Sequence, residues 1–203
     1  MDNPTRSERS RQTAIQAALV ILTRDGVGAL TFDALARESG ISKGGLLHQF
    51  RTKSGIVKAL LEYQTQHFRQ FATDYLSSKA ASVTEPTLSA QISVSREAMK
   101  QPHSVAQAVL AALVEDPTLL EMVRTTDAPN IKAIEKEAAD PDLALVRWAA
   151  AKGLAFNALL GLCPLSDKQR DRLFERLLDD DKWKSVAAPK DAKAKTKAKK
   201  PSQ

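Results

Sequence analysis

The chain is 203 residues long, with 43% apolar and 27% charged residues, one cysteine and a formal net charge of +6. That length suits one or two modest domains with a substantial core. A single cysteine excludes a disulfide framework within one subunit, and the lack of any run of about 18 apolar residues excludes a membrane span. With no paired cysteines and a polar N-terminus, a reducing cytoplasm is the simplest location.

Charge is uneven along the chain: net +4 over residues 1–79, −5 over 80–181 and +7 over 182–203. Basic ends around an acidic middle suit a first segment that meets a polyanion. Eight glycines, nine prolines and few stretches that alternate with a period of two predict an all-α fold. Residues 1–8 read as disordered. A first helix is predicted from about Arg9 to Asp25, with Ala14, Ala17, Ala18, Ile21 and Leu22 on its apolar face.

From Thr31 to Phe50 the sequence predicts two short helices joined by a tight turn, a helix-turn-helix. Thr31 caps the first helix, Asp33 lies in its first turn where the dipole favours negative charge, and Gly40 ends it in a left-handed conformation. Ser42 caps the second, and Leu46, Leu47 and Phe50 give it an apolar side. Its exposed start carries Ser42, Lys43, Gly44 and Gly45, with His48 one turn on. A recognition helix enters the major groove by that end, so small and donor-bearing residues are apt there. Each glycine costs roughly 1 kcal/mol against alanine inside a helix. The pair therefore needs a reason: close approach of backbone to DNA or to the first helix, or fraying into a loop.

Thr31, Ala36, Gly40, Ile41, Ser42, Gly44, Leu46, His48, Phe50 and Lys53 together resemble the DNA-binding signature of TetR-family transcriptional regulators. The resemblance spans roughly the first 70 residues, including the preceding helix and the one that follows from Ser54. It departs at Leu47, where the family usually has a tyrosine that contacts phosphate; leucine offers no donor. It also departs at Gly55, where an acidic residue or alanine is common. The resemblance implies a three-helix DNA-binding unit, residues 8–68, with the helix-turn-helix at 31–50. A larger helical domain for effector binding and dimerisation, residues 69–183, would follow.

Beyond the motif, Lys53 and Ser54 open a long helix with Ile56, Val57, Leu60, Leu61, Phe68 and Phe71 as its stripe. A break is predicted over Ser77–Pro86. Helices then follow over Thr87–Lys100, which is moderately polar, and Ser104–Asp116. Pro117 suits the opening of the next, which Pro129 should break or kink. Pro141 opens the most apolar helix, through Leu162. Apolar groups surround it nearly completely, which implies burial on several sides. Asp167–Leu178 is the last amphipathic helix. In the TetR family the last two helices commonly pair with their copies in a second subunit. The alternative for the Pro141–Leu162 helix is the buried centre of a monomer. Residues 184–203 are rich in lysine and alanine and read as a disordered tail, either an added attraction to DNA phosphates or a solvated appendage.

Catalytic patterns do not emerge. His48, His67 and His103 are scattered, no pair shows metal-ligand spacing with a cysteine, and Cys163 reads as a buried structural thiol. No enzyme activity, metal or cofactor is expected. The expected function is a sequence-specific, homodimeric repressor that reads a partly palindromic operator and is released by a small apolar or aromatic effector. Ser42, Lys43 and Gly45 are candidates for base edges or nearby phosphates, and Thr31, His48 and Lys53 for phosphates. Gly44 would allow close approach, and Leu47 would pack on sugar or a thymine methyl. Met99, Leu113, Met122, Trp148 and Phe156 are candidates for an effector pocket, or else ordinary core. The rival functions are a low-specificity DNA binder without an effector and a helical protein-docking module.

Overall fold

A computed structural model of the protein describes residues 3–79, 82–116, 118–184 and 186. Ten α-helices and no strand occur among the described residues. The first helix, α1 (Asn3–Asp25), begins six residues before its expected start at Arg9, so most of the stretch expected to be disordered is helical. Pro4 lies in the first turn, where its missing N–H interrupts no intrahelical bond. A short 3₁₀ turn (Val27–Ala29) leads to α2 (Phe32–Ser39), α3 (Lys43–Phe50) and the long α4 (Lys53–Lys79).

The α1 stripe of Ala14, Ala17, Ala18, Ile21 and Leu22 is fully inside. Leu30, Leu35, Leu46 and Phe50 pack on it together with Ile56, Val57 and Leu60 of α4. Val105, Ala108 and Ala112 of α6 (His103–Glu115) enter this same core, with Leu119 of α7 (Thr118–Glu137). The base of the helix-turn-helix is thus continuous with the helices that follow it, not merely tethered to them.

A second core joins α5 (Pro86–Ala98), α7, α8 (Pro141–Leu159) and α9 (Asp167–Leu178) around Leu88, Ile92, Ile134, Ala151 and Phe174. Its centre is α5, the helix whose sequence is only moderately polar and which packs on α4, α7, α8 and α9. By contrast α8, expected to be buried on several sides, buries one narrow stripe: Ala144, Arg147, Ala151, Ala155 and Ala158. Its larger apolar residues Val146 (60% exposed) and Phe156 (54% exposed) point outward. The helix stops at Leu159 rather than Leu162 because Gly161, at φ 72°, turns the chain, and the N–H groups of Leu162 and Cys163 both return to the Asn157 carbonyl. Cys163 is half-buried rather than buried.

Pro129 does not end α7, which runs through it to Glu137. Packing holds the helix on both sides of the proline, Leu119 in the first core and Ile134 in the second. Pro117, expected to open this helix, lies outside the described residues; Asp116 accepts the Thr118 N–H at 3.1 Å there. At α9 the Ser166 hydroxyl and the Gln169 side chain form a reciprocal capping box that fixes the start where expected. The tail from 184 lies outside the described residues, apart from Lys184 and Val186.

One charge is buried among the described residues: Arg147, 3% exposed. Its guanidinium donates to the Leu177 carbonyl (2.7 and 3.1 Å), Glu85 (2.6 Å) and Asp180 (2.8 Å), and lies over the Trp183 ring. It thereby joins the start of α5, the middle of α8 and the end of α9 before the short α10 (Asp181–Lys184). Burial pushes the Glu85 carboxyl above the usual carboxylate range even though Arg147 opposes this.

Candidate nucleic-acid interface

The α2–turn–α3 unit is held by its caps. The Thr31 hydroxyl accepts from the Ala34 N–H at 3.1 Å, and the Ser42 hydroxyl from the Gly45 N–H at 3.2 Å. Gly40 has φ 69°, and its N–H returns to the Ala36 carbonyl at 3.0 Å. Both cap hydroxyls accept through oxygen, which leaves each O–H free to donate to a phosphate. Gly44 and Gly45 are helical, not frayed. A Cβ on Gly44 would meet nothing within 4 Å, whereas on Gly45 it would sit 3.3 Å from the Ser42 hydroxyl and 3.4 Å from Ile41. Packing therefore accounts for Gly45 in part and for Gly44 not at all.

While Leu46 and Phe50 hold α3 on the core, Lys43, Gly44, Leu47 and His48 present its outer face. Lys43 ion-pairs with Asp33 at 2.9 Å. Both partners are largely exposed, so the pair contributes little and exchanges readily for a phosphate. Lys53, at the start of α4, reaches the Val27 carbonyl at 3.5 Å and remains exposed.

One residue of this region was not read from the sequence, and the role of another was not. Arg51 follows α3 and is the one non-glycine residue with positive φ among the described residues (φ 60°, ψ −46°). With the Thr52 N–H donating to the Phe50 carbonyl at 2.6 Å, it forms a γ-turn of the strained, positive-φ kind. That turn swings the Phe50 carbonyl over Gly55, where a Cβ would lie 1.9 Å from the oxygen. Gly55 is thus matched to the Arg51 turn, and only the departure from the usual residue at that position signalled it. The Arg51 side chain is exposed, with no ion-pair or hydrogen-bond partner among the described residues. Behind α3, Gln49 donates to Ser10 at 3.1 Å and Arg11 lies over the Phe50 ring while pairing with Glu62.

Residues 14–60 match the family model described as "Bacterial regulatory proteins, tetR family", and residues 85–180 match "Tetracyclin repressor-like, C-terminal domain". The chain belongs to the TetR family of transcriptional regulators. Among curated relatives, the HTH-type transcriptional regulators BetI of Yersinia pestis and Yersinia pseudotuberculosis are 29% identical over 76 residues. That match spans 37% of this chain and 37% of each relative. Solved structures extend the likeness of fold to most of the chain. A transcriptional regulator from Rhodococcus sp. RHA1 has a TM-score of 0.63 at 18% identity, covering 86% of this chain and 96% of its own. A TetR-family member from Streptomyces coelicolor A3 gives 0.59 at 20%, covering 83% and 97%. The multidrug binding protein EbrR, complexed with ethidium, gives 0.55 at 21%, covering 83% and 97%.

In this TetR-family chain the five residues expected to line an effector pocket are not gathered in one place. Met99 and Trp148 pack against the second core and Leu113 against the first, while Phe156 is exposed; the Met122 side chain is outside the described ones. Met99, Leu113 and Trp148 serve packing instead. A cavity of about 410 Å³ does lie between α4, α5, α7 and α8, lined by Leu61, Phe68, Arg69, Gln91, Asp127 and Lys152 among others. A hollow of about 610 Å³ beside α9 is walled only by residues 172–182 and cannot surround a ligand.

Proposed function

We propose that the protein is a homodimeric repressor that reads a partly palindromic operator and is released by a small-molecule effector. The observation that carries this is the outer face of α3: a capped, helical Gly44–Gly45 start that packing does not require at Gly44, flanked by exposed Lys43, His48, Arg51 and Lys53. Backbone close to the groove, with cations at both ends, suits base reading at Ser42, Lys43 and Gly45 and phosphate contact at Thr31, His48, Arg51 and Lys53. The Arg51 turn adds a further cation that the sequence did not mark, and strain held in this way is often tied to function.

Dimerisation is supported by Val146, Phe156 and Leu162, which are 60%, 54% and 65% exposed near the α8–α9 edge. Apolar surface of this kind favours a partner, and a second copy supplies the same face. The cavity of about 410 Å³ is in the range of small-molecule sites. EbrR, of like fold, is described as a multidrug binding protein holding ethidium, which supports an organic effector here. No helix among the described residues is long and apolar enough to cross a membrane. We place the protein in the cytoplasm and assign it regulation, not catalysis.

Selection of bound fragments from random DNA at near-physiological salt tests the reading. A two-fold-related motif is expected, with half-sites about one helical turn, roughly 34–36 Å, apart. Recovery of no motif would refute specific regulation. On the selected operator, Lys53→Ala should weaken binding to every sequence and reduce the salt slope by about one. Lys43→Ala should cost more on the operator than on random DNA. Equal losses on all sequences from both would refute this division of roles.

A further inference from the structure

We propose that the cavity selects a small molecule with an apolar body and one anionic group, a carboxylate, held by Arg69 and Lys152. This rests on the effector reading above. The apolar part of the wall comes from Leu61, Phe68 and Ala72 of α4, Val94 of α5, and Val123 and Pro129 of α7. The charged groups are two cations and one acid: Arg69, Lys152 and Asp127. Lys152 Nζ lies 3.0 and 3.2 Å from the Asp127 carboxylate and 5.6 Å from the centroid of the Trp148 ring, so its position is fixed. Asp127 is therefore already neutralised. The Arg69 guanidinium has no partner among the described residues. The cavity thus carries one excess positive charge within a segment, residues 80–181 with α4 beside it, that is otherwise acidic.

These charges rank the ligand classes. A cation would have to draw Asp127 away from Lys152, leaving two protein cations facing it uncompensated. A neutral ligand would strip water from Arg69 and return no charge-assisted bond. An anion completes Arg69, and Lys152 keeps donor capacity beyond its carboxylate contact. The same contact gives the ligand a route to DNA. Arg69 belongs to α4, whose first turns, through Ile56, Val57 and Leu60, lie in the core under the helix-turn-helix. Lys152 belongs to α8. A carboxylate joining them favours one spacing of α4 against α8, which is the differential contact an effector needs.

The test uses the full chain and two matched probe sets, phenylbutyrate with its amide and amine, and octanoate with its amide and amine. Calorimetry and tryptophan fluorescence report binding, since Trp148 lies beside Lys152. In at least one set the carboxylate should bind about tenfold or more tightly than its amide and amine. Arg69→Gln, at an exposed and unpartnered side chain, should abolish that preference without lowering the unfolding midpoint. Lys152→Gln, which releases Asp127, should shift preference toward the amine. A wild-type preference for amine or amide that changes in these variants would overturn the anionic class while leaving the cavity as the effector site. Carboxylate binding indifferent to both substitutions would place the ligand elsewhere and overturn the proposal. No binding by any of the six probes would overturn the effector reading and the proposal with it.

Discussion

α5 and α8 lie against each other, and their compositions suggest the opposite of their positions. α5 buries Ser89, Gln91, Ser93 and Ser95 alongside Leu88 and Ile92, at the centre of the second half of the chain. α8, far richer in large apolar groups, fully buries only alanines and one arginine, packs Leu145, Trp148 and Leu154 half-buried at the edge of the core, and turns Val146 and Phe156 to the outside. Side-chain size explains the inversion. A helix packed on four neighbours needs small residues for their backbones to approach it. Serine is inexpensive to bury when its hydroxyl folds back on the helix, as Ser95 does on the Gln91 carbonyl at 3.0 Å. Apolar character that faces outward then reads as surface for a partner, not as core.

The two helices meet at Arg147, and its removal should give the largest effect. Arg147→Met leaves Glu85 and Asp180, both half-buried, without their cation, and breaking a buried pair by removing one partner costs about 3–5 kcal/mol. Urea unfolding of the full chain reads this directly. The pH dependence has a definite sign. Burial raises the folded Glu85 carboxyl above its ordinary value, so its charge opposes folding above that range and the opposition fades as pH falls through it. The deficit of Arg147→Met should accordingly shrink on acidification. A deficit that grows with acid would assign the loss to other groups.

The second contrast is one of concentration. Ile92→Ala, in the middle of α5, should cost about 2–5 kcal/mol at any protein concentration. Phe156→Ala, on the outer face of α8, should remove about 1.5–3 kcal/mol per subunit from association, at least about a hundredfold in the dimer dissociation constant, and leave the dilute monomer's unfolding unchanged. Sedimentation across a dilution series separates the two. A concentration-independent loss from Phe156→Ala would mean that α8 has no partner on that face.

A third test moves the comparison to the DNA-reading end. Because a Cβ on Gly44 meets nothing, Gly44→Ala should stabilise the fold by up to about 1 kcal/mol. It should also weaken operator binding, by keeping the α3 backbone away from the groove. Tighter DNA binding would show that Gly44 serves neither packing nor recognition.

What could be read from the sequence divides along similar lines. Local chemistry was legible: Thr31, Gly40 and Ser42 cap the helices they were expected to cap, and α9 starts at Asp167 as expected, although the Ser166–Gln169 capping box that sets this start was not read. Helical periodicity also gave the inner face of α1. Properties that depend on distant neighbours were not legible. Nothing local shows that Arg147 meets Glu85 and Asp180, that Gly55 lies under the Phe50 carbonyl, or that the cavity is walled by Arg69 and Lys152 rather than by Trp148 and Phe156. Hydrophobicity alone ranked α8 above α5 for burial because it is blind to how closely the backbones approach.

The smallest expected effect is also the most selective for that explanation. Ser89 and Ser95 are both buried on α5, but the Ser89 hydroxyl has no hydrogen-bond partner among the described residues while that of Ser95 bonds to its own helix. An unsatisfied buried hydroxyl costs about 1–3 kcal/mol, and a satisfied one contributes about 0.5–1.5 kcal/mol. Ser89→Ala should therefore raise the unfolding free energy and Ser95→Ala should lower it, although the two changes are chemically identical on one helix. If small size is what α5 supplies, neither alanine disturbs the packing and the opposite signs survive. If both substitutions destabilise, the Ser89 hydroxyl is satisfied in solution by water, and burial of α5 depends on its polar groups as well as on their size.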